Sequence, residues 1–316
     1  MNKEVLIAEI SGKRPGSKKQ RPTEKYNTSF DKVIISNNSE GYETDWEIVN
    51  VPDDYKEWYI ANIKSSENAW YAPMNRSYAI KYAREHGYKY LIQLDDNIKF
   101  LEIATYKKLD GVIKRYRKIS TTEMLDDFVE MLVLVLKNTN AAMSGCQLSA
   151  IGTPDNAFLR ERYVYSIFAL DLESCPDVFQ GDFEDDVEYR LKLSQMGLPV
   201  VQVSALRYSK TGQARNKDLS GCRAEYAKAG LKRGEHMCKL YNPLYTCRMR
   251  NKRNTVNSSC EYEGNVNFKH QLKPFKVGVI IYDIKPIEQK LRDMFRKYSE
   301  VKEDKVIIKE KKIKAK

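Results

Sequence analysis

The sequence predicts an α/β fold on three observations. Short apolar runs, Val5-Leu-Ile-Ala-Glu-Ile10 and Tyr88-Lys-Tyr-Leu-Ile-Gln-Leu94 among them, have the length and flanks of buried strands. Segments with apolar residues at helical spacing, Pro73 to His86 and Ser120 to Asn138, stand between such runs. The two kinds interleave over residues 1 to 210, as layered helices and strands require. With 316 residues, 42% of them hydrophobic, the chain can bury a sizeable core.

The elements follow in order. Val5 to Ile10 is bounded by Ser11-Gly12 and reads as a buried parallel strand. Lys13 to Lys25 is loop. Strands are expected at Lys32 to Ser36, closed by Asn37-Asn38, and around Trp46 to Val51, closed by Pro52-Asp53-Asp54. Pro73 suits a first helical turn; Met74, Tyr78, Ala79, Tyr82 and Ala83 share a face, and Gly87 can take the left-handed stop. The strand that follows ends in Asp95-Asp96-Asn97, so two acids stand at a strand's carboxyl end, where open α/β sheets bind ligands. Ser120-Thr-Thr-Glu123 forms a capping box for a helix to about Asn138. Strands are expected at Ala141 to Leu148, Tyr163 to Leu172 and Pro199 to Val203, with a helix from about Glu184 to Met196. Beyond Gly212 the pattern weakens: a helix near Ala224, a strand at Val277 to Tyr282 and a charged helix from Pro286 to about Tyr298. The expected division is a core over residues 1–210 and, over 211–316, an acceptor-side loop with a basic C-terminal extension packing on that core.

Composition narrows the class. The net charge of +11, from 54 Lys and Arg against 43 Asp and Glu, concentrates polyanions near the protein, and nucleic acid is the leading one. No window approaches the ~20 apolar residues of a membrane span, and the amino terminus lacks a signal-peptide pattern. A cytoplasmic protein with no membrane partner is therefore expected. The six cysteines show neither a CxxC pair nor a secreted framework and read as reduced thiols; the spacings of His236, Cys238, Cys247 and Cys260 fit no common zinc module.

Adjacent carboxylates after a buried strand make a hard, oxygen-rich site suited to Mg²⁺ or Mn²⁺, which in turn binds a diphosphate. Asp95 and Asp96 meet that need, and Arg76 near the start of the preceding helix could reach the same diphosphate. The bland reading of Asp95-Asp96-Asn97 is a self-bonded turn. Gly181 to Tyr189 packs five carboxylates into nine residues at a helix start. Capping and the helix dipole account for some of them at ~0.3–1 kcal/mol each. A carboxylate kept ionised there is also a base for an acceptor hydroxyl; Asp185 is the candidate, with Glu184 beside it. Trp70 and Tyr71, ahead of the Pro73 helix, should border the nucleotide pocket.

Arg76-x-x-Ala79, Tyr90-Leu-Ile-Gln-Leu-Asp-Asp-Asn97 and Gly181-x-Phe-Glu-Asp-Asp186 resemble the ordered motifs of GT-A glycosyltransferases over about residues 1 to 210. The resemblance implies a Rossmann-like mixed sheet flanked by helices and a nucleoside-diphosphate sugar donor, with a UDP-sugar expected. It implies a donor side that includes Ser11, Trp70, Arg76 and Asp95, and a metal held by Asp95 and Asp96 with His236 as a third ligand. In that fold Phe183-Glu184-Asp185 corresponds to the motif that holds the base. The departure is Asn97, an amide where the metal motif ends in an acid.

Gln93-Leu-Asp-Asp96, Lys210-Thr-Gly-Gln213 and Ser220-Gly-Cys222 are similar, more narrowly, to the TET-associated glycosyltransferases of bacteriophages. That resemblance implies sugar addition to a hydroxymethylated pyrimidine in DNA, in an infected bacterial cell, with Lys210, Arg215, Lys217 and Arg223 on the phosphates. Two alternatives stand beside it: the same enzyme class acting on a polysaccharide or protein, and a non-catalytic basic nucleic-acid-binding protein.

Overall fold

The computed structural model describes residues 4–16, 19–63, 71–109, 112–149, 159–180, 185–210, 245–249, 268–272, 277–298 and 302–306. The strands are β1 Val5–Ser11, β2 Asp31–Ser36, β3 Glu47–Asn50, β4 Tyr90–Asp95, β5 Ile98–Leu109, β6 Val112–Ser120, β7 Met143–Leu148, β8 Leu159–Glu161, β9 Ile167–Asp171, β10 Val200–Lys210, β11 Tyr245–Met249, β12 Phe268–Leu272 and β13 Lys302–Val306. The helices are α1 Asp53–Asn62, α2 Tyr71–Glu85, α3 Leu125–Lys137, α4 Asp185–Gln195 and α5 Lys285–Lys297, with a 3₁₀ turn at Pro22–Lys25. The expected α/β class holds: a mixed sheet flanked by helices.

The main sheet runs β13-β6-β5-β10-β7-β9-β4-β1-β2-β3, with β8 also on β10, while β11 and β12 form a separate antiparallel pair. β4, β1, β2 and β3 are mutually parallel, and β9 enters between β4 and β7 in the opposite sense. Every residue of β1 is buried, because helices cover both faces of the sheet. Val5 and Ile7 join the core formed with α3 and α5; Leu6, Ala8 and Ile10 join the core formed with α1, α2 and α4. In α3, Leu125, Phe128, Val129, Leu132 and Leu136 make the apolar stripe on the sheet. α2 brings Ala79 and Ala83 against the sheet and ends at Gly87, whose φ of +78° lets Tyr88 N–H return to the Ala83 carbonyl at 3.0 Å.

Four expectations need correction. Ser120 caps no helix: it ends β6, its Oγ accepts from the Thr122 and Glu123 amides, and α3 begins only after Met124, held left-handed at φ +73°. Pro52-Asp53-Asp54 does more than close a strand, since it opens α1 with two acids in the first turn. Val277 to Tyr282 is not a strand; Gly278 turns at φ +78° and the segment bonds instead to Asn138 and Asn140 behind α3. The strand expected at Tyr163 to Leu172 is confined to β9, because Ser166 sits left-handed at φ +59°. The helix expected near Ala224 lies outside the described residues. Among the described residues, no helix is long and apolar enough to cross a membrane. Cys146 and Cys175 are free and buried, and burial pushes the Cys175 thiol up to about 11.

Candidate functional site

From β1 the chain moves outward to β2 and β3, then returns on the other side of β1 as β4. Neighbouring parallel strands whose connections leave in opposite directions open a crevice beyond their carboxyl ends. Ser11 and Asp95 close β1 and β4 at that crevice, and Ser11 Oγ donates to Asp96 Oδ2 at 2.8 Å across it. Thr23 pins the acidic turn from below: its hydroxyl donates to the Asp95 carbonyl at 2.6 Å and accepts from the Ile98 amide at 2.9 Å. Gly12 lies where a β-carbon would stand 2.6 Å from Asn37 Oδ1, so a side chain there would push aside the Asn37 amide, which accepts from Asn75 Nδ2 at 3.1 Å.

Arg76 is the centre of the arrangement. Only 6% exposed, its guanidinium donates to Asp185 Oδ2 at 2.7 Å, to Asp95 Oδ1 at 2.7 Å and to Gln93 Oε1 at 3.2 Å. Gln93 answers by donating to the Arg76 carbonyl at 3.0 Å, which fixes the side chain of β4 against α2. A planar fork can bridge a strand tip and a helix start in this way; an ammonium cannot. Burial disfavours its charge, but Asp185, Asp95 and Asp186 outweigh that and raise its pKa further.

The paired acids stand in different surroundings. Asp95 Oδ2 accepts from Lys210 Nζ at 3.2 Å, and Lys210 also donates to Ser166 Oγ at 2.8 Å. Burial would raise the Asp95 carboxyl, but Lys210 and Arg76 hold it well below the usual carboxylate range. Asp96, 5% exposed, pairs with Arg14 through Oδ1; burial raises its pKa against the opposing pull of Arg14 and Ser11. Two adjacent carboxyls are thus driven apart by environment. Behind them Glu9 is fully buried in β1 with no hydrogen-bond partner on either oxygen among the described residues, and burial, followed by Asp96 and Glu24, pushes it far up.

Among the described residues, no three His, Cys, Asp or Glu side chains form a ready-made metal cage. Paired carboxylates of this kind could take part only in a site of another sort, with one or two carboxylates completed by substrate phosphates and water. Three acids, Asp95, Asp96 and Asp185, face three bases, Arg14, Arg76 and Lys210. Among the described residues, each of these three bases is therefore already engaged by an acid. Asp95 Oδ2 and Asp96 Oδ1, the oxygens that could face such a cation, are engaged by the two more exposed bases, with side-chain exposures of 21% for Lys210 and 22% for Arg14.

Of the residues singled out by sequence, Ser11, Arg76, Asp95, Asp96, Asp185 and Lys210 come together here. Lys210, expected on acceptor phosphates, reaches the acids because β10 runs seven residues past Val203. Glu184, Trp70, His236, Arg215, Lys217 and Arg223 lie outside the described residues. Tyr71 is described and lies under Lys13, whose ammonium is 4.2 Å from the ring centroid. Sequence reading missed Arg14, Thr23 and Ser166, and gave Gln93 no role beyond its place in a motif. Only Gln93 carried a local signal, an amide within an otherwise apolar strand.

No protein-family model matches the chain, and no curated protein matches it. Among solved structures, it is similar to a chain from Desulfovibrio desulfuricans G20 provisionally named a nucleotide-diphospho-sugar transferase. The two are 14% identical over 71% of this chain and 94% of that one, with a TM-score of 0.33. At that score the functional reading rests on the residues of this chain alone.

Proposed function

We propose that the chain is a metal-dependent glycosyltransferase of the GT-A type, moving a sugar from a nucleoside-diphosphate donor to a hydroxyl of a hydroxymethylated pyrimidine in DNA. The observation that carries the reading is the single buried guanidinium of Arg76 tying Asp95, at the strand tip, to Asp185, at the helix start. A donor-side acid and a candidate base are thereby held in one frame, as a displacement at a sugar carbon requires.

Arg14 and Lys210 would turn from the acids to the donor phosphates, and Asp95 with Asp96 would hold Mn²⁺ or Mg²⁺. When bound, the cation supplies charge neutralisation to the departing nucleoside diphosphate. Asp185 Oδ1, the oxygen that Arg76 does not engage, takes the acceptor proton as the acceptor oxygen bonds to the anomeric carbon and the bond from that carbon to the phosphate oxygen breaks. A single base opposite the leaving group predicts inversion. The DNA acceptor draws on the net charge of +11 and on the motif resemblance.

The test has two parts. UDP with Mn²⁺ should raise the melting temperature by a few degrees, since ligand at 100 times its Kd stabilises by about 2.7 kcal/mol. Nucleoside mass analysis after incubation with sugar nucleotides, Mn²⁺ and hydroxymethylated DNA should then show a hexose or pentose added. Asp185→Ala should abolish transfer while retaining the UDP–Mn²⁺ shift, whereas Asp96→Ala should lose both. Absence of any shift, with no mass gain on DNA, glycan or protein acceptors, would remove the enzyme reading.

A further inference from the structure

Ser166, the residue before β9, links the ends of β4 and β10 at the crevice. Its carbonyl accepts from the Asp95 amide at 2.8 Å, and its hydroxyl accepts from Lys210 Nζ at 2.8 Å. Lys210 in turn reaches Asp95 Oδ2 at 3.2 Å. One small residue, 2% exposed, therefore sets the spacing between the strand tip and the ammonium beside it. Burial raises the Asp95 carboxyl, and the Ser166 hydroxyl opposes that after Lys210 and Arg76.

The backbone there is strained. The φ of Ser166 is +59°, and the Ile167 amide bonds the Tyr165 carbonyl at 2.5 Å across it, a three-residue turn of the rare hand. Glycine takes a positive φ without steric cost, whereas a serine does not. Strain of this kind persists where the surrounding structure enforces it, and it clusters at functional sites. The side chain that a glycine would lack is the one that holds Lys210. As an anchor a hydroxyl also differs from a carboxylate, because it orients an ammonium without neutralising it. That charge remains for an anionic ligand whenever Asp95 is otherwise engaged.

We propose that Ser166 is a positioning residue for donor binding: its hydroxyl holds the Lys210 ammonium at the crevice, so that a diphosphate meets a lysine already ordered. The proposal rests on the nucleotide-sugar reading of the site and names the residue that sets its charge in place. Lys210 needs such an anchor. It is the last residue of β10, and the ladder with β5 shifts register between Ser209 and Lys210. A long, flexible side chain at an irregular strand end loses its rotamer freedom on binding unless something in the protein has ordered it beforehand.

UDP with Mn²⁺ should be titrated calorimetrically into the full chain, into Ser166→Gly, into Lys210→Met and into the double variant. Ser166→Gly should raise the Kd roughly two- to tenfold, the loss expected when one long side chain must be ordered on binding. In the Lys210→Met background the same change should leave the Kd within a factor of about two, because the hydroxyl then has no ammonium to hold. Ser166→Ala should raise the Kd by the same factor as Ser166→Gly but melt lower, since it keeps the strained φ that glycine releases. That pair separates the hydroxyl from the backbone. If Ser166→Gly acts equally with and without Lys210, or leaves the Kd unchanged in both, the positioning role is overturned and the donor site stands. A parent that binds no UDP in the presence of Mn²⁺ overturns the donor reading and this inference with it.

Discussion

At the scale of single residues, the site depends on one buried cation. Arg76 compensates Asp95 and Asp185 together, so Arg76→Met takes the arginine from Asp185 and leaves Asp95 with Lys210 as its cation, and should cost about 3–5 kcal/mol. Arg76→Lys restores charge but not the three-way fork, and thermal melts should rank it between the parent and the methionine variant. Glu9 gives an opposite prediction. Its carboxyl is raised on folding, so the native state binds the extra proton and stability falls as pH rises above glutamate's ordinary range of about 4.3. Glu9→Gln should therefore melt higher than the parent at neutral pH, with the difference shrinking as pH falls toward 4; a pH-independent difference would sink the assignment. Asp95, Asp96, Asp185 and Arg76 were legible because acids at a strand tip and a helix start, with an arginine near a helix's beginning, are local patterns. Arg14 and Lys210 were not legible as crevice residues: their partners are 82 and 115 positions away, and only the assembled sheet brings them together.

At the scale of elements, α5 shows how a charged segment is held to an apolar core. Ile287 and Met294 enter the core, while Lys290, Lys297 and Tyr298 all donate to Asp127 of α3, at 2.8, 2.9 and 2.6 Å. Burial raises the Asp127 carboxyl, but the three donors outweigh it and hold the group at about 2. Because the folded value lies below the unfolded one, this stabilisation is present above about pH 4 and is lost as pH falls toward 2. The parent should lose more melting temperature across that interval than Asp127→Asn, and equal losses would show that the clamp contributes nothing. The helix was readable from its periodicity; its clamp was not, since Asp127 reads locally as an ordinary first-turn acid. β5 and β6 escaped sequence reading for a related reason: lysines at Lys107, Lys108 and Lys114 interrupt the alternation that marks a strand, and only pairing across the hairpin makes them regular.

For the whole molecule, the sheet's two edges among the described residues are where another chain could add a strand. One edge is β3, only four residues long, and short edge strands offer little template for another chain. The other is β13, which pairs with β6 over five residues. Deleting residues 302–316 would make β6 the edge, and a nine-residue strand with unpaired amides ordinarily invites edge-to-edge association. β6, however, carries Lys114, Arg115, Arg117 and Lys118, so a second copy would bring like charges into register. The shortened chain should therefore lose stability without associating, melting lower but eluting as the same species as the parent by light scattering at low salt. Salt screens that repulsion, with a Debye length of about 3 Å at 1 M, so association should appear there if charge is what guards the edge. A truncated protein that associates equally at low and high salt would show that the basic ribbon does not protect the sheet, leaving polyanion binding as the main reason for a charge density that otherwise works against folding.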